Sequence, residues 1–485
     1  MSLPRLAAAL LVLPSVAAAQ EELGPEPVRG LVSRAEGAFE GYTLLAPLRS
    51  TTTYLIDMDG RPVHRWESDA PPGNAAYLLE NGNLLRAARV DDNPVFSGGG
   101  QGGRVQEMTW DGTVVWDYRF SSEEHLHHHD LARLPNGNVL LLAWERVTSE
   151  EAFEAGRDPA LLGEDVVMWP DFVVEVRPEG RTGGEIVWEW HVWDHLIQDF
   201  NPHRANHGVV AEHPERIDVN ADVRRRQPTP EEAEAERRRL EELGYAGAPP
   251  AADGGDGDGD DGDHAAAERR RRDGDWNHTN AIAYHPGLDQ IALSVRRFSE
   301  IWIIDHSTTT EEAAGSTGGR HGRGGDLLYR WGNPQIWQAG DEEDRQLYYQ
   351  HDVHWIAPGL PGEGNLLLFN NGGRAEGERR WSTVDEIAPP LDAEGRYTRE
   401  PGAAYGPEAP TWTYAAPIPG EFYSSYISGA QRMPNGNTLI CSGEQGRLFE
   451  VTPAGEIVWD YLNPYHDAGL AERPGRPPGG EAGGR

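Results

Sequence analysis

Histidine, asparagine and arginine recur in this chain where short apolar strands begin and end. Residues 275–305, DWNHTNAIAYHPGLDQIALSVRRFSEIWIID, read as two strands joined by the turn HPGLDQ and then a third strand. The Pro, Gly and Asp of that turn suit a hairpin connection. An antiparallel hairpin brings the start of its first strand to the end of its second. His278, Asn280 and Arg296 should therefore converge at the end opposite the turn. An imidazole able to serve as base or nucleophile, a neutral donor and a fixed cation can together handle a developing oxyanion.

Aligning the chain on the turn N-G-N extends this set. Asn74 stands seven residues before Asn81, and His129 seven before Asn136. His278 and His351 take the matching place in HTNAIAYHP and HDVHWIAP, and Ser428 does so in the last copy. The strands that follow end at Arg89, Trp144, Arg296, Asn371 and Gly443. Any one histidine opening a strand is more often the partner of a loop carbonyl. Three at equivalent positions, with arginines and asparagines, make a site-like set. The run HLHHHD at 125–130 is contiguous, so alternate side chains face opposite ways and a zinc site is disfavoured. No metal and no cofactor is called for.

A repeat must position these groups. Six segments end in a tryptophan-bearing strand, around Trp66, Trp116, Trp188, Trp331, Trp412 and Trp459. Most follow a Gly-containing turn. Their spacing is close to the ~40–50 residues of a four-stranded propeller blade. The pattern predicts an all-β, six-bladed β-propeller with four-stranded antiparallel blades and the innermost strands lining a channel. Residues 42–66 are predicted to share a blade with the C-terminal strands, closing the ring without a free edge. The repeated tryptophans and the N-G-N turns are assigned to packing and to backbone geometry.

Two regions depart from the repeat. Residues 218–273 hold a charged helical stretch and an Asp/Gly run that lacks the Gly and the closing Glu of a calcium loop. Strand order puts this insert at the mouth where the histidines gather, beside residues 147–170 and 372–381. The Gly/Pro-rich tail, 466–485, reads as disordered. The first nineteen residues read as a secretory signal peptide cut before Gln20, so a periplasmic or secreted propeller spanning 20–465 is predicted. A single cysteine, Cys441, excludes an intrachain disulfide framework. Formal net charge is −36 and every Lys/Arg position is arginine. Such acidity argues against nucleic acid and anionic membranes as partners. No segment beyond the leader is long and apolar enough to span a bilayer.

The stretches LPNGNVLLLAW, GEIVWEW, MPNGNTLI, WNHTNAIAY, LSVR and QHD resemble the bacterial arylsulfate sulfotransferases. The resemblance implies a periplasmic six-bladed propeller that moves a sulfuryl group from a phenolic sulfate ester to a phenol, without a nucleotide sulfate, through a transiently sulfated histidine. Carried over, His351 is the nucleophile, with His354 as the alternative. His278, Asn280 and Arg296 match the family's H-x-N and downstream arginine, and His129 its further histidine. Asn371, Arg89, Trp144 and His354 are candidates for substrate binding. Phenolic sulfates and phenols are the implied partners, and a homodimer is compatible with the sequence. The rival readings are a non-catalytic ligand- or protein-binding propeller of the cell envelope and a quinone-cofactor propeller. The latter lacks its vicinal cysteines and acidic metal ligands here.

Overall fold

Alternating apolar and polar residues, punctuated by Gly, Asn and Asp turns, fold into six antiparallel sheets arranged as the blades of a propeller. This computed structural model describes residues 29–162, 166–221, 274–373, 379–466 and 469–470. The third blade is typical, running His125–Arg133, Val139–Glu145, Asp171–Glu179 and Gly183–His191 from the channel outward. The second, fourth and fifth blades are also four-stranded and open on Pro72–Leu78, Thr279–His285 and His351–Trp355.

The ring closes differently from the sequence expectation. Residues 42–66 do not join the C-terminal blade. Thr43–Leu45, Thr52–Ile56 and Pro62–Glu67 form a three-stranded first blade of their own. Trp66 marks Pro62–Glu67 as the outer strand of that blade, which leaves these segments no place in another. It is the upstream strand Gly30–Arg34 that adds to the last blade, outside Ile457–Leu462, with Arg34 opposite Trp459. An outer edge that would expose unpaired backbone groups is thereby covered.

The tryptophan repeat has a concrete task. Each outer-strand indole N–H donates across the gap to the next blade. Trp66 reaches Thr109 O, Trp116 reaches Gly183 O, Trp188 reaches Thr308 Oγ1, and Trp331 reaches Pro407 O. Trp412 reaches Pro453 O, and Trp459 closes the circle on Met58 O at 2.9 Å. A separate apolar cluster fills each gap between neighbouring blades, for example Leu85, Val105 and Trp116 with Leu141, Phe172 and Val174. Each indole bond contributes about 1 kcal/mol net, and the rings themselves bury far more in apolar area. The N-G-N turns also work as a unit. The first Asn accepts from the third residue's N–H, as Asn136 does from Asn138 at 2.9 Å. The third Asn then donates to a glutamate of the third strand: Glu107, Glu175 or Glu450.

Most of the insert, 222–273, lies outside the described residues, so its helical stretch and its Asp/Gly run carry no structural description here. Its flanks are placed. Val219 O accepts from Arg157, Asn220 donates to Gly156 O, and Gly274 O accepts from Trp169 N. All three partners belong to the connection between the second and third strands of the third blade. Both flanks therefore dock at the end of the propeller where the inner strands begin.

Candidate active site

Four of the inner strands bulge just after they begin. The pairing register slips between Pro72 and Ala76, opposite residues 128–130, between Thr279 and Ile282, and between His351 and His354. Left-handed backbone accompanies the bulges, at Asn74 (φ 86°), His129 (52°), His278 (50°) and Asp352 (58°). Asparagine accepts that conformation readily, whereas histidine holds it at a cost of about 1–2 kcal/mol. The extra residues turn side chains at the strand openings toward one another.

The fourth blade departs from the register that the N-G-N turns suggest. Asp130 Oδ2 accepts from Ile282 N at 2.9 Å, and Asp352 Oδ2 from Ala430 N at 2.8 Å. The two carboxylates thus do the same work in the third and fifth blades, which makes His129 and His351 equivalent. In the fourth blade Ile282 pairs with Leu293 as Leu131 pairs with Leu141, so the matching residue is Asn280. His278 lies two residues earlier. The turn between His285 and Gln290 is shorter than the N-G-N turns, and counting back from it misplaces the register.

The structure nevertheless gathers the central residues. The His129 and His278 rings lie 4.6 Å apart, edge to face. Burial holds the His129 imidazole well below its ordinary pKa, and the charges of His278, His128, His351 and Arg296 lower it further. The His128 ring lies 5.1 Å from that of His129, and Asn280 donates to the carbonyl just before His351, which brings the third and fifth blades' histidines to the fourth blade's hairpin. Arg296 N bonds to His278 O, and its guanidinium lies 5.2 Å from the centre of the Tyr349 ring.

Each histidine has its own backing. His351 Nδ1 lies 2.7 Å from Asn371 Oδ1 and 3.1 Å from Tyr349 O. Asn371 Nδ2 donates to Ser424 O and Ser428 Oγ, which fixes its oxygen toward the imidazole. Nδ1 of His351 is therefore the protonated nitrogen, and the lone pair sits on Nε2. His278 Nδ1 instead meets Asp275 Oδ2 at 2.6 Å, with Arg297 on the same carboxylate at 3.3 Å. Burial pushes the Asp275 carboxyl up, but His278 and Arg297 outweigh it and hold the group well below the usual carboxylate range. Burial lowers the His278 pKa, and Asp275 offsets part of that. His129 Nδ1 meets His128 Nδ1 at 2.8 Å, and His128 Nε2 faces Asp171 at 3.1 Å. His128 donating to Asp171 leaves its Nδ1 to accept from His129. The 98–102 loop presses on His129 so closely that a Cβ on Gly100 would come within 2.0 Å of the ring.

The remaining candidates have partners of their own. Asn280 Nδ2 donates to Gln350 O, the carbonyl just before His351. Trp144 is fully buried and stacks on His128 at 4.1 Å, forming the floor beneath the histidines. Arg89 turns to Asp91 at 2.7 Å. His354 Nδ1 faces Asp352 O at 3.0 Å, beyond the bulge from His351. Asn371 is buried and committed to His351, Ser424 and Ser428. Among the described residues no three His, Cys, Asp or Glu side chains form a metal-binding group.

The profile of the arylsulfotransferase (ASST) family matches residues 43–459. The chain belongs to that family. Arylsulfotransferases of this kind imply aryl sulfate sulfotransfer by an enzyme of the transferase class. No curated protein matches the sequence. Among solved structures, the chain is similar to a protein of unknown function from Bacteroides caccae, at 10% identity and TM-score 0.42, over 89% of this chain and 97% of that one. It is also similar to virginiamycin B lyase from Staphylococcus aureus, at 8% identity and TM-score 0.35, over 89% of this chain and 84% of that one.

In this arylsulfotransferase, Asp275 and the positioning part of Asn371 were missed from sequence. Asp275 had a signal, since it stands three residues before His278 in the same motif. The contact made by Asn371 depends on the fold of residues 424–428, which no local pattern announces. No helix among the described residues is long and apolar enough to cross a membrane.

Proposed function

We propose that the protein transfers a sulfuryl group from a phenolic sulfate ester to a phenolic acceptor, with no nucleotide sulfate, through a transient sulfohistidine on His351. The carrying observation is the Nδ1 of His351 held on Asn371, in a strand that Asn280 ties to the hairpin bearing His278 and Arg296, with His129 4.6 Å from His278. In this reading the Nε2 lone pair attacks sulfur, the S–O bond to the aryl group breaks, and its electron pair leaves on the phenolate. His278, backed by Asp275, protonates that oxygen. The second half reverses the first. His278 accepts the proton of the incoming phenol, its oxygen attacks sulfur, and the N–S bond breaks to restore neutral His351.

The choice of partners supports this division. As the N–S bond forms, the His351 ring gains positive charge and its Nδ1–H bond to the amide oxygen of Asn371 strengthens. A neutral amide orients the ring without the charge that would tie down the imidazolium, so the nitrogen stays a good leaving group. A carboxylate suits His278, whose task is to carry a proton. Arg296 balances charge on the sulfonate oxygens, by analogy with phosphoryl transfer. Asn280 supports the backbone before His351.

Export to the periplasm or the medium is part of the same proposal. N-terminal sequencing of the exported protein should begin at Gln20. The activity is tested with 4-nitrophenyl sulfate and phenol: nitrophenolate release and phenyl sulfate should appear in equal amounts. Binding without turnover would favour the non-catalytic propeller.

A further inference from the structure

Arginine and aromatic side chains alternate outward from the candidate site. The Arg296 guanidinium lies 5.2 Å from the Tyr349 ring centre, and Arg345 lies 5.7 Å from the same ring. Arg345 also covers Tyr348 at 4.2 Å. Arg379 lies 5.5 Å from Tyr348 and 5.5 Å from Trp381. The order is Arg296, Tyr349, Arg345, Tyr348, Arg379, Trp381. It begins beside His278 and ends on an indole that is 38% exposed at the rim.

The rungs are held in place. Arg345 donates to Leu347 O and Ser299 Oγ, and Tyr349 N donates to that same hydroxyl. Arg379 donates to Trp381 O and Thr383 Oγ1. Glu342 meets Arg345 at 3.4 Å from a solvent-exposed position, and the buried Asp385 lies behind Arg379. Both elements that supply the rungs, the connection into the fifth blade and the loop after Asn371, stand at the histidine end. In a chain of formal charge −36 a stacked row of cations here is conspicuous. Guanidinium planes on aromatic faces recognise flat rings and anions together.

We propose that this ladder is a second substrate-recognition subsite. It would take extended phenolic sulfates or phenols that carry a further ring and a further anionic group, a second sulfate or a carboxylate. A single-ring ester held at His351 reaches Arg296 alone. A longer one lays its second ring against Trp381 at the rim, with its distal anion toward Arg379, while the buried side chain of Arg345 backs Tyr348 and adds its charge from behind. The assignment rests on the sulfotransfer reading for its substrate class, so its test includes a readout that needs no turnover.

The experiment uses the full chain with biphenyl-4,4′-disulfonate, which cannot transfer a sulfuryl group, and with benzenesulfonate. Binding is followed by tryptophan fluorescence and calorimetry. Arg379→Gln and Trp381→Ala should each weaken disulfonate binding about tenfold and leave benzenesulfonate within about twofold. In parallel, kcat/KM for biphenyl-4,4′-diyl bis(sulfate) should fall in the variants, mainly through KM, while that for 4-nitrophenyl sulfate holds. Trp381→Ala at the exposed rim guards against a folding defect in Arg379→Gln. Unchanged disulfonate binding in both variants, or equal loss for both ligands, overturns the proposal. Disulfonate selectivity in a protein without sulfotransfer would leave the ladder standing and remove the catalytic reading.

Discussion

His129 and His351 occupy the same place in the third and fifth blades, yet their surroundings differ in kind. Behind His351 stands a neutral amide oxygen, itself held by Ser424 and Ser428. Behind His129 stands a second histidine, backed in turn by the buried Asp171. The repeat supplies two equivalent imidazoles, and the loops of neighbouring blades give them different partners. Equivalent position therefore does not mean equivalent chemistry. The residue that touches the far nitrogen decides whether a ring attacks, carries a proton or shapes the pocket.

The largest effect should come from breaking one side of the pair. His351→Ala should lower kcat by more than about a thousandfold, as expected for a lost nucleophile. Near-UV circular dichroism should stay native, because this side chain opens a strand rather than filling an inter-blade cluster. His129→Gln should cost much less, about tenfold. Equal losses in the two variants would erase the contrast.

Exchanging the backing groups is the next test. Asn371→Leu should reduce kcat about a hundredfold with little change in KM, because the ring loses its orientation rather than the substrate its contacts. Proportional changes in KM would mean that Asn371 binds substrate, as the sequence suggested. Asp275→Asn should cost about tenfold and move a limb of the pH–rate profile. The sign follows from the ion pair: Asp275 raises the His278 pKa against burial, so its neutralisation should shift that limb to lower pH. A limb that stays in place would detach His278 from the proton transfer.

The ring was legible because its repeats are local. Trp66, Trp116, Trp188, Trp331, Trp412 and Trp459 stand on outer strands as expected, and Asn81, Asn136 and Asn435 each start a turn that bonds within three residues. His278, Asn280 and Arg296 were readable because one hairpin joins them. Closure by Gly30–Arg34 was not, since that strand carries neither tryptophan nor N-G-N. Nor was the true register of His278, because the HPGLDQ turn changes the loop length. Asn371 was legible as a strand end but not as the partner of His351, a contact settled by residues more than fifty positions away in sequence.

A histidine away from the mouth gives the smallest effect and sharpens the contrast. His306 sits at the junction of the third and fourth blades between Glu175 at 3.0 Å and Asp289 at 2.8 Å. Burial lowers its pKa, but the two carboxylates outweigh that and leave it raised above 6.5. A raised folded pKa contributes stability that is complete below the unfolded value and is lost as pH rises through the folded one. His306→Gln should therefore destabilise the protein by about 1 kcal/mol near pH 5.5, and by progressively less above neutrality. Thermal melts of the two proteins across that range would show it. A pH-independent difference would mean that the ring acts by packing alone.

With His351, and neither His129 nor His354, as the proposed carrier of the sulfuryl group, the protein itself should become modified. The direct measurement is mass spectrometry of the protein after brief exposure to 4-nitrophenyl sulfate without an acceptor, under conditions that preserve N–S bonds. One added sulfuryl group per chain is expected, mapped to the peptide containing His351, discharged by added phenol and absent in His351→Ala. A modified His129 or His354 would contradict it, as would turnover by a protein that never becomes modified.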